Sequence, residues 1–500
     1  MRRPTLAGSA LLNLVGEGLP LVVGLICIPS LIAALGTARF GVLALAWIVL
    51  TYFGAFDMGI GRATTKFVAE ALGSGTAGDI PSITWTAVLA QSGLGVIGGF
   101  ALAIATPLMV GHLLHIPPAL ATETRTAFYE LAFAVPLVLI SGSFRGVLEA
   151  AQRFDLVNLV KAPFASANFL LPLLAAALGW GLPGVVGLLV VARAVALLSF
   201  MVLCLRVFPS LRRAPQFARK EARTLFGFGG WITVSSIVAP VIVYVDRFMI
   251  GTLLSVAAVT YYVAPYEMIT RLWIIPTSLV SALFPAFSAM TRGARPEQAG
   301  SIALRSVKFL IVILGPIVVL LAVLAGDILR VWLGAPFAQR ATNVARVLAC
   351  GVLVNALAQV PYSQIQAAGR PDLTAKLHLA ELPVHIVLVW ALVRQFGITG
   401  AAVASAARMA VDASLLFVVA ARLSPVSSRL LALHRVPRAT LLVLAFALVA
   451  SVLGGVLAPG TLRLSAIAAV FVAEVVVAWG YVLDEQDRSR VAELVGFGRP

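Results

Sequence analysis

The sequence predicts an all-α integral membrane protein of about 14 transmembrane helices, organised as two six-helix lobes in parallel repeat with two further helices towards the C-terminus. Three observations predict it. Of 500 residues, 60% are apolar and only 12% charged, a balance that no water-soluble domain of this size carries. The apolar residues gather into runs of about 20, the length that crosses a bilayer core as a helix. One polar segment recurs about 217 residues later at an equivalent place.

Taken in order, the runs fall at about 8–35, 41–60, 82–105, 126–143, 162–178, 186–205, 229–250 and 257–283, then at 309–329, 343–366, 380–393, 401–421, 439–457 and 463–483. The first follows Met1-Arg2-Arg3-Pro4, as a secretory signal would. It continues to Leu35, carries Glu17 and lacks an A-x-A cleavage site, so it reads as a retained helix. Residues 1–206 are expected to form an N-lobe of helices 1–6, 207–228 a basic cytoplasmic linker, 229–421 a C-lobe of helices 7–12, and 422–500 helices 13–14 with a cytoplasmic tail.

Basic residues are divided unevenly between the two sides. Alternate connections and both tails hold 26 of the 37, the opposite connections hold seven, and Arg193, Arg247, Arg271 and Arg408 lie inside runs. That asymmetry places both termini in the cytoplasm. The net charge of +16 therefore belongs to loops beside anionic lipid, and no amphipathic basic stripe interleaved with aromatics points to nucleic acid. The longest outward connection, 106–125, contains Pro107, Pro117 and Pro118 and is too short for the outer domain that a membrane transferase or polymerase needs.

Other signals are discounted on their surroundings. Gly93-Leu94-Gly95-Val96-Ile97-Gly98 matches a dinucleotide motif but lies within an apolar run with no strand before it; Gly95 and Gly99 read instead as sites of close helix packing. His112 and His115 have no cysteine or carboxylate beside them to complete a metal site. Cys27, Cys204 and Cys350 all fall inside runs and make no disulfide framework. No cofactor is expected. Glu381 with His385 reads as a packed i, i+4 pair; Arg193, and Arg408 with Asp412, read as structural pairs between helices.

The repeat pairs Glu149-Ala150-Ala151-Gln152-Arg153-Phe154-Asp155-Leu156 with Gln366-Ala367-Ala368-Gly369-Arg370-Pro371-Asp372-Leu373. Downstream, Gly181-Leu182-Pro183-Gly184 pairs with Gly397-Ile398-Thr399-Gly400, each opening a run that carries an arginine, Arg193 or Arg408. Both copies of Arg-x-Asp-Leu follow an even-numbered run, so the six-helix units share one orientation. Two such lobes around a midplane site are an alternating-access plan.

Several segments resemble the polysaccharide transporter branch of the MOP flippase superfamily, the Wzx-type oligosaccharide flippases. They are Asn13-Leu14-Val15-Gly16; Leu35-Gly36 before Phe40-Gly41; Tyr52 with Phe56-Asp57-Met58-Gly59-Ile60-Gly61; Asp246-Arg247-Phe248-Met249-Ile250-Gly251 with Tyr261-Tyr262; and Gly397-Ile398-Thr399-Gly400-Ala401-Ala402. The resemblance covers nearly the whole chain. It implies a MOP/MATE-like fold, outward translocation of a polyprenyl-pyrophosphate-linked oligosaccharide across a bacterial inner membrane, contact with membrane lipids, and polysaccharide polymerase machinery as a partner. The related multidrug or cation antiporters and the lipid II flippases are the competing expectations.

A sugar head group needs a polar path. The first run offers Asn13, Gly16, Glu17, Pro20 and Gly24 on one helical face, and the eighth offers Tyr262, Tyr266, Glu267, Thr270, Arg271, Thr277, Ser278 and Ser281. Ionisable groups inside a span are costly and mark a pathway. Arg271, near mid-depth, is the first candidate to grip phosphate oxygens, with an intrahelical pair to Glu267 as its structural alternative. Arg247 beside Asp246 is the second, against a local ion pair or snorkelling to the interface. Asn13, Glu17, Tyr266 and Glu267 complete the expected substrate-binding set. Glu17, Asp57 and Asp246 are the candidates for a coupling ion, although Asp57 also suits a helix end.

Overall fold

The computed structural model describes residues 6–55, 60–212, 218, 241–292, 296–423, 428–458, 460–485 and 487–489, and among these every regular element is helical. Ten of the helices are long and apolar enough to cross a membrane. Backbone events account for three differences between these ten helices and the fourteen sequence runs, and residues 229–240 of the seventh run lie outside the described residues. Helix α1 (Leu6–Ala55) contains the first run and the second as far as Ala55, and breaks at Gly36, where φ is 74° and ψ 164°, a conformation open essentially to glycine alone. Helix α13 (Pro371–Leu423) contains runs eleven and twelve and breaks the same way at Gly397, with φ 60° and ψ −141°.

Between them the chain forms α2 (Ile60–Gly73), α3 (Ile80–Leu108), α4 (Pro118–Ala150), α5 (Phe154–Ala177) and α6 (Leu182–Val207). There follow α7, helical over the described residues 241–253, and α8 (Val256–Thr270), α9 (Ile274–Arg292), α10 (Pro296–Val323), α11 (Ala325–Leu333) and α12 (Ala335–Ala367). After α13 come α14 (Ser428–Leu433), α15 (Val436–Val456) and α16 (Thr461–Val477), the last ending in a wider turn at Ala478–Val482. Proline stands in the first turn of α3, α4, α6, α12 and α15, where its missing N–H removes no hydrogen bond and its φ already suits the helix. The eighth run is interrupted by a tight 3-10 turn at Arg271–Trp273. Pro276 explains it: its ring excludes an α-helical carbonyl at Leu272, four residues earlier.

The chain divides into two compact units, Met1–Val263 and Ala264–Pro500. In the first, α4 packs on α3, α6 and α2, and α1 packs on α5. The α3–α4 seam is set by the glycines of the discounted motif. A Cβ on Gly95 would stand 2.4 Å from Pro136 Cα, and one on Gly99 would stand 2.5 Å from the Ala132 carbonyl oxygen. Away from the seam, Ile97, Phe100, Ile104 and Phe133 are each more than two-thirds exposed, the apolar outer surface that lipid covers. At one end of this unit Arg39 forks onto Glu123 with contacts of 3.0 and 2.9 Å, which ties α1 to α4. In the second unit α12 packs on α13 and α10, and α15 covers α10 around Leu310, Leu314, Val443 and Phe446.

The repeat is visible in local geometry. After α4, Gln152 takes a left-handed φ of 57°, Arg153 N donates to the Leu148 carbonyl at 2.9 Å, and the Arg153 guanidinium forks onto Asp155 at 2.9 and 2.8 Å. After α12, Gly369 has φ 77°, Arg370 N donates to the Ile365 carbonyl at 3.2 Å, and Arg370 forks onto Asp372 at 3.0 and 3.3 Å. Both are helix C-caps closed by a left-handed residue, with the fork bracing the entry to the next helix. The second repeat pair departs from the expected register. Gly397 itself carries the left-handed turn, whereas in the first copy Gly179 carries it, with φ 76°, two residues before Gly181.

Candidate functional site

The sequence-predicted residues form two groups, one in each unit. In the first unit, Asp246 and Arg247 sit on α7 and both are buried. Asp246 accepts a short hydrogen bond from the Tyr262 hydroxyl on α8, and its other oxygen accepts from the Arg247 backbone N–H at 2.8 Å. The Arg247 guanidinium lies 4.8 Å from the centre of the Tyr244 ring, a cation–π contact. Arg247 is therefore not directed to the surface as a snorkelling side chain would be; its guanidinium lies inside the protein against the Tyr244 ring. In the first turns of α8, ahead of Tyr262, Thr260 donates its hydroxyl to the Thr37 carbonyl at 2.7 Å, just past the break in α1, and Gly41 admits the Val256 carbonyl where a Cβ would stand 1.8 Å from it.

In the second unit, Tyr266, Glu267 and Arg271 surround the break between α8 and α9. Arg271 Nη2 donates to Glu267 Oε2 at 2.8 Å, so the i, i+4 pair forms. Each side chain keeps nearly three-tenths of its surface exposed, and Arg271 Nε is buried with no acceptor. The guanidinium thus stands at the C-terminal end of a half-helix, which favours a cation, with a donor still to satisfy. Tyr266 is buried and meets the Trp273 ring edge-on, with centroids 6.4 Å apart. Thr270 and Ser278 from the same face turn their hydroxyls onto backbone carbonyls, 2.8 Å to Tyr266 and 2.7 Å to Ile274. The side chains of Asn13, Glu17, Asp57 and Ser281 lie outside the described residues.

A feature not anticipated from the sequence is a hollow of about 550 Å3 within the second unit, between α9, α12 and α13. Its walls are Asn355, Gln359, Tyr362 and Gln366 of α12, Thr277 of α9, and His378 and Asp412 of α13, among others. The four α12 residues follow i, i+4, i+7 and i+11, the same stripe that marks the first and eighth runs, and this was the available signal. What the stripe did not disclose is its company from α13. The His378 imidazole stacks on the Tyr362 ring, with centroids 6.2 Å apart and planes 15° apart, and its Nε2 stands 3.6 Å from Asp412. The expected interhelical pairs also acquire partners here: Arg408 stands 3.8 Å from Glu381 across the Gly397 break, and in the first unit Arg193 donates to Asn168 on α5 at 2.8 Å. Glu381 therefore faces Arg408 rather than only its own i, i+4 neighbour His385. Glu474, on α16, is buried with neither oxygen hydrogen-bonded among the described residues.

A family model described as "Polysaccharide biosynthesis protein" matches residues 6–291. The chain is 30% identical over 405 residues to a Shigella flexneri protein named "Putative O-antigen transporter", covering 81% of this chain and 95% of that one. It is 26% identical over 210 residues to a Haloferax volcanii protein named "Probable low-salt glycan biosynthesis flippase Agl15", 42% of this chain and 44% of that one. Among solved structures, the lipid II flippase MurJ aligns with a TM-score of 0.73 at 11% identity, over 94% of this chain and 99% of MurJ. A multidrug resistance MATE transporter of the MOP superfamily aligns with 0.67 at 14%, over 84% of this chain and 98% of that one. At such identities the structural likenesses establish the MOP-type helical fold and nothing finer. The family match spans more than half of the chain and the first relative nearly its own whole length, so this chain belongs to the polysaccharide biosynthesis protein family of membrane transporters.

Proposed function

We propose that this chain is a flippase that moves a polyprenyl-pyrophosphate-linked oligosaccharide from the cytoplasmic to the outer leaflet of a bacterial inner membrane, with both termini in the cytoplasm. The observation that carries the reading is the 550 Å3 hollow, where the amides of Asn355, Gln359 and Gln366 and the phenol of Tyr362 are set into apolar helices. A sugar hydroxyl stripped of water costs roughly 2–7 kcal/mol unless it gains a partner, and neutral amides and phenols supply partners at every orientation. The names of the two relatives support the same class of cargo.

In this reading the head group enters from the cytoplasm, the lobes rock in alternating access and the lipid tail stays in the bilayer; no covalent bond changes. Arg271, with its unmet N–H, is the proposed grip on the pyrophosphate. Arg247, Glu267, Tyr266, Asn13 and Glu17 are proposed to line the path, with Glu17, Asp57 and Asp246 as the groups available to a coupling ion and a polysaccharide polymerase receiving the product. Two negative charges moving outward down an inside-negative potential release about 4–5 kcal/mol per 100 mV, enough to drive the step.

The test uses proteoliposomes loaded with a lipid-linked oligosaccharide, measuring the fraction that becomes accessible to an external glycosidase. Transfer above that of protein-free vesicles, faster under a potassium-diffusion potential, is the expected result. Transfer no faster than in protein-free vesicles ends the flippase reading, whereas transfer indifferent to the potential ends only the electrogenic part. A cation antiporter is the second reading, favoured by Asp412 and His378 on the hollow. It requires proton-driven export of a cationic dye by the same vesicles.

A further inference from the structure

The first unit holds a cavity of about 260 Å3 between α4, α5 and α6 that the proposed path does not use. Its lining includes three basic side chains, one per helix: Arg145, Lys161 and Arg193, with Asn168 and Ser141 as neutral polar groups and no aspartate or glutamate. Depth can be read from the helical rise of about 1.5 Å per residue. Arg145 lies five residues before the end of α4 and Lys161 seven residues into α5, roughly 8–11 Å from the Arg153 turn that joins these helices. Arg193 lies fourteen residues from the corresponding end of α6, roughly 21 Å in, near mid-membrane. The three form a ladder of positive charge running inward from one membrane face.

Charge compensation is the unusual feature. Arg145 meets Glu149 on its own helix at 3.4 Å, with Arg145 about half and Glu149 about one-third exposed. Arg193 has only the neutral Asn168 Oδ1, at 2.8 Å, and among the described residues no carboxylate stands within ion-pair distance of it. A guanidinium at mid-membrane without a counter-charge is expensive, and the structure meets that cost neither with an acid nor by directing Arg193 to the surface. The fork geometry of arginine and the point charge of lysine around a small hollow suit a tetrahedral oxyanion.

We propose that the α4–α5–α6 cavity binds a lipid phosphate, with Arg193 at its floor and Lys161 and Arg145 at its mouth. Two sources share this chemistry, the phosphodiester of an anionic phospholipid and the pyrophosphate of a polyprenyl-linked cargo. Neither depends on the 550 Å3 hollow of the other unit, so the proposal survives failure of the flippase reading in its phospholipid form.

The test uses the full chain in nanodiscs of phosphatidylcholine, titrated separately with phosphatidylglycerol and with a short-chain polyprenyl pyrophosphate, and read by native mass spectrometry and thermal shift. Variants are Lys161→Gln, Arg193→Gln and Asn168→Asp, with Arg394→Gln, a cation stacked on Trp390 in the other unit, as control. Asn168→Asp keeps the volume of the cavity and puts a carboxylate against Arg193, so it tests the idea even where Arg193→Gln fails to fold. Wild type and Arg394→Gln are expected to bind. Lys161→Gln and Arg193→Gln should each weaken binding at least tenfold, the loss of one charge-assisted hydrogen bond. Asn168→Asp should raise the melting temperature without lipid and abolish the lipid-induced shift. Loss of the phosphatidylglycerol response alone identifies a resident phospholipid, and loss of the polyprenyl pyrophosphate response alone identifies a cargo site. Binding of both lipids unchanged in Asn168→Asp, or absent from wild type, overturns the proposal.

Discussion

Replacing Asp487 by Asn is the perturbation whose size the structure defines most closely. Lys308, on α10, is completely buried, and its ammonium makes a short contact with Asp487, which is also completely buried. Arg305, one turn earlier, donates Nε to the other oxygen of Asp487 at 2.6 Å. Asp484 stands further off, at 3.6 Å from Lys308 and 3.8 Å from Arg305, and is one-third exposed. Removing one member of a buried pair leaves the other charge uncompensated at a cost of about 3–5 kcal/mol, whereas a partly exposed carboxylate at longer range contributes about 0–1 kcal/mol. Asp487→Asn should therefore lower the unfolding midpoint of the detergent-solubilised chain far more than Asp484→Asn. Lys308→Met with Asp487→Leu should recover most of the loss, because two apolar groups leave no stranded charge. Differential scanning fluorimetry on the four proteins reads the order directly. Equal midpoints for the two Asn variants, or a double variant no better than Asp487→Asn, would refute the assignment of this pair as a buried clasp.

The same cluster carries a pH signature. Burial, together with the positive charges of Lys308 and Arg305, lowers the pKa of His434 from its ordinary 6.5, so the folded protein keeps the ring neutral where the unfolded chain protonates it. Its contribution is complete above 6.5 and is lost on acidification through the lower folded value; His434→Gln should flatten that part of the melting profile. Burial acts to raise the Asp487 carboxyl, but the hydrogen bonds from Lys308 and Arg305 outweigh it and hold the group below 3.8, so its contribution persists down to stronger acid. Gly99→Ala places a methyl 2.5 Å from the Ala132 carbonyl oxygen and should cost about 1–3 kcal/mol or split the α3–α4 seam, seen as lost monodispersity on size-exclusion chromatography. Gly397→Ala forces a side chain into φ 60°, ψ −141° and should cost about 1–3 kcal/mol in the same thermal assay. Arg271→Gln should slow oligosaccharide transfer at least tenfold with the midpoint nearly unchanged, since its pair with Glu267 is partly exposed; an unaltered rate would remove Arg271 from the path.

The residues divide sharply in how far they could be read without coordinates. Runs three to six lie wholly or almost wholly within α3 to α6, and the helices extend beyond the runs because only the membrane-buried turns must be apolar. The breaks at Gly36 and Gly397 follow from glycine in turns open to little else, and the two Arg-x-Asp forks from contacts two residues apart. Each of these is a local property, settled by a side chain and its immediate neighbours. The break at Arg271 was legible in principle, since Pro276 stands at the required distance.

Partnership across the sequence belongs to the fold. Arg305 and Lys308, ahead of the ninth run, read as loop charges, yet α10 starts at Pro296 and carries Lys308 into a pair with a residue 179 positions away. Arg193 and Arg408 were each visible as costly charges inside a span, but hydropathy assigns the same cost to both. Only packing gave Arg408 an acid across the Gly397 break and left Arg193 facing an amide beside an acid-free cavity. Burial energy depends on composition along the helix, which the chain carries with it; electrostatic compensation depends on what stands a few ångströms away, which is decided when the helices meet.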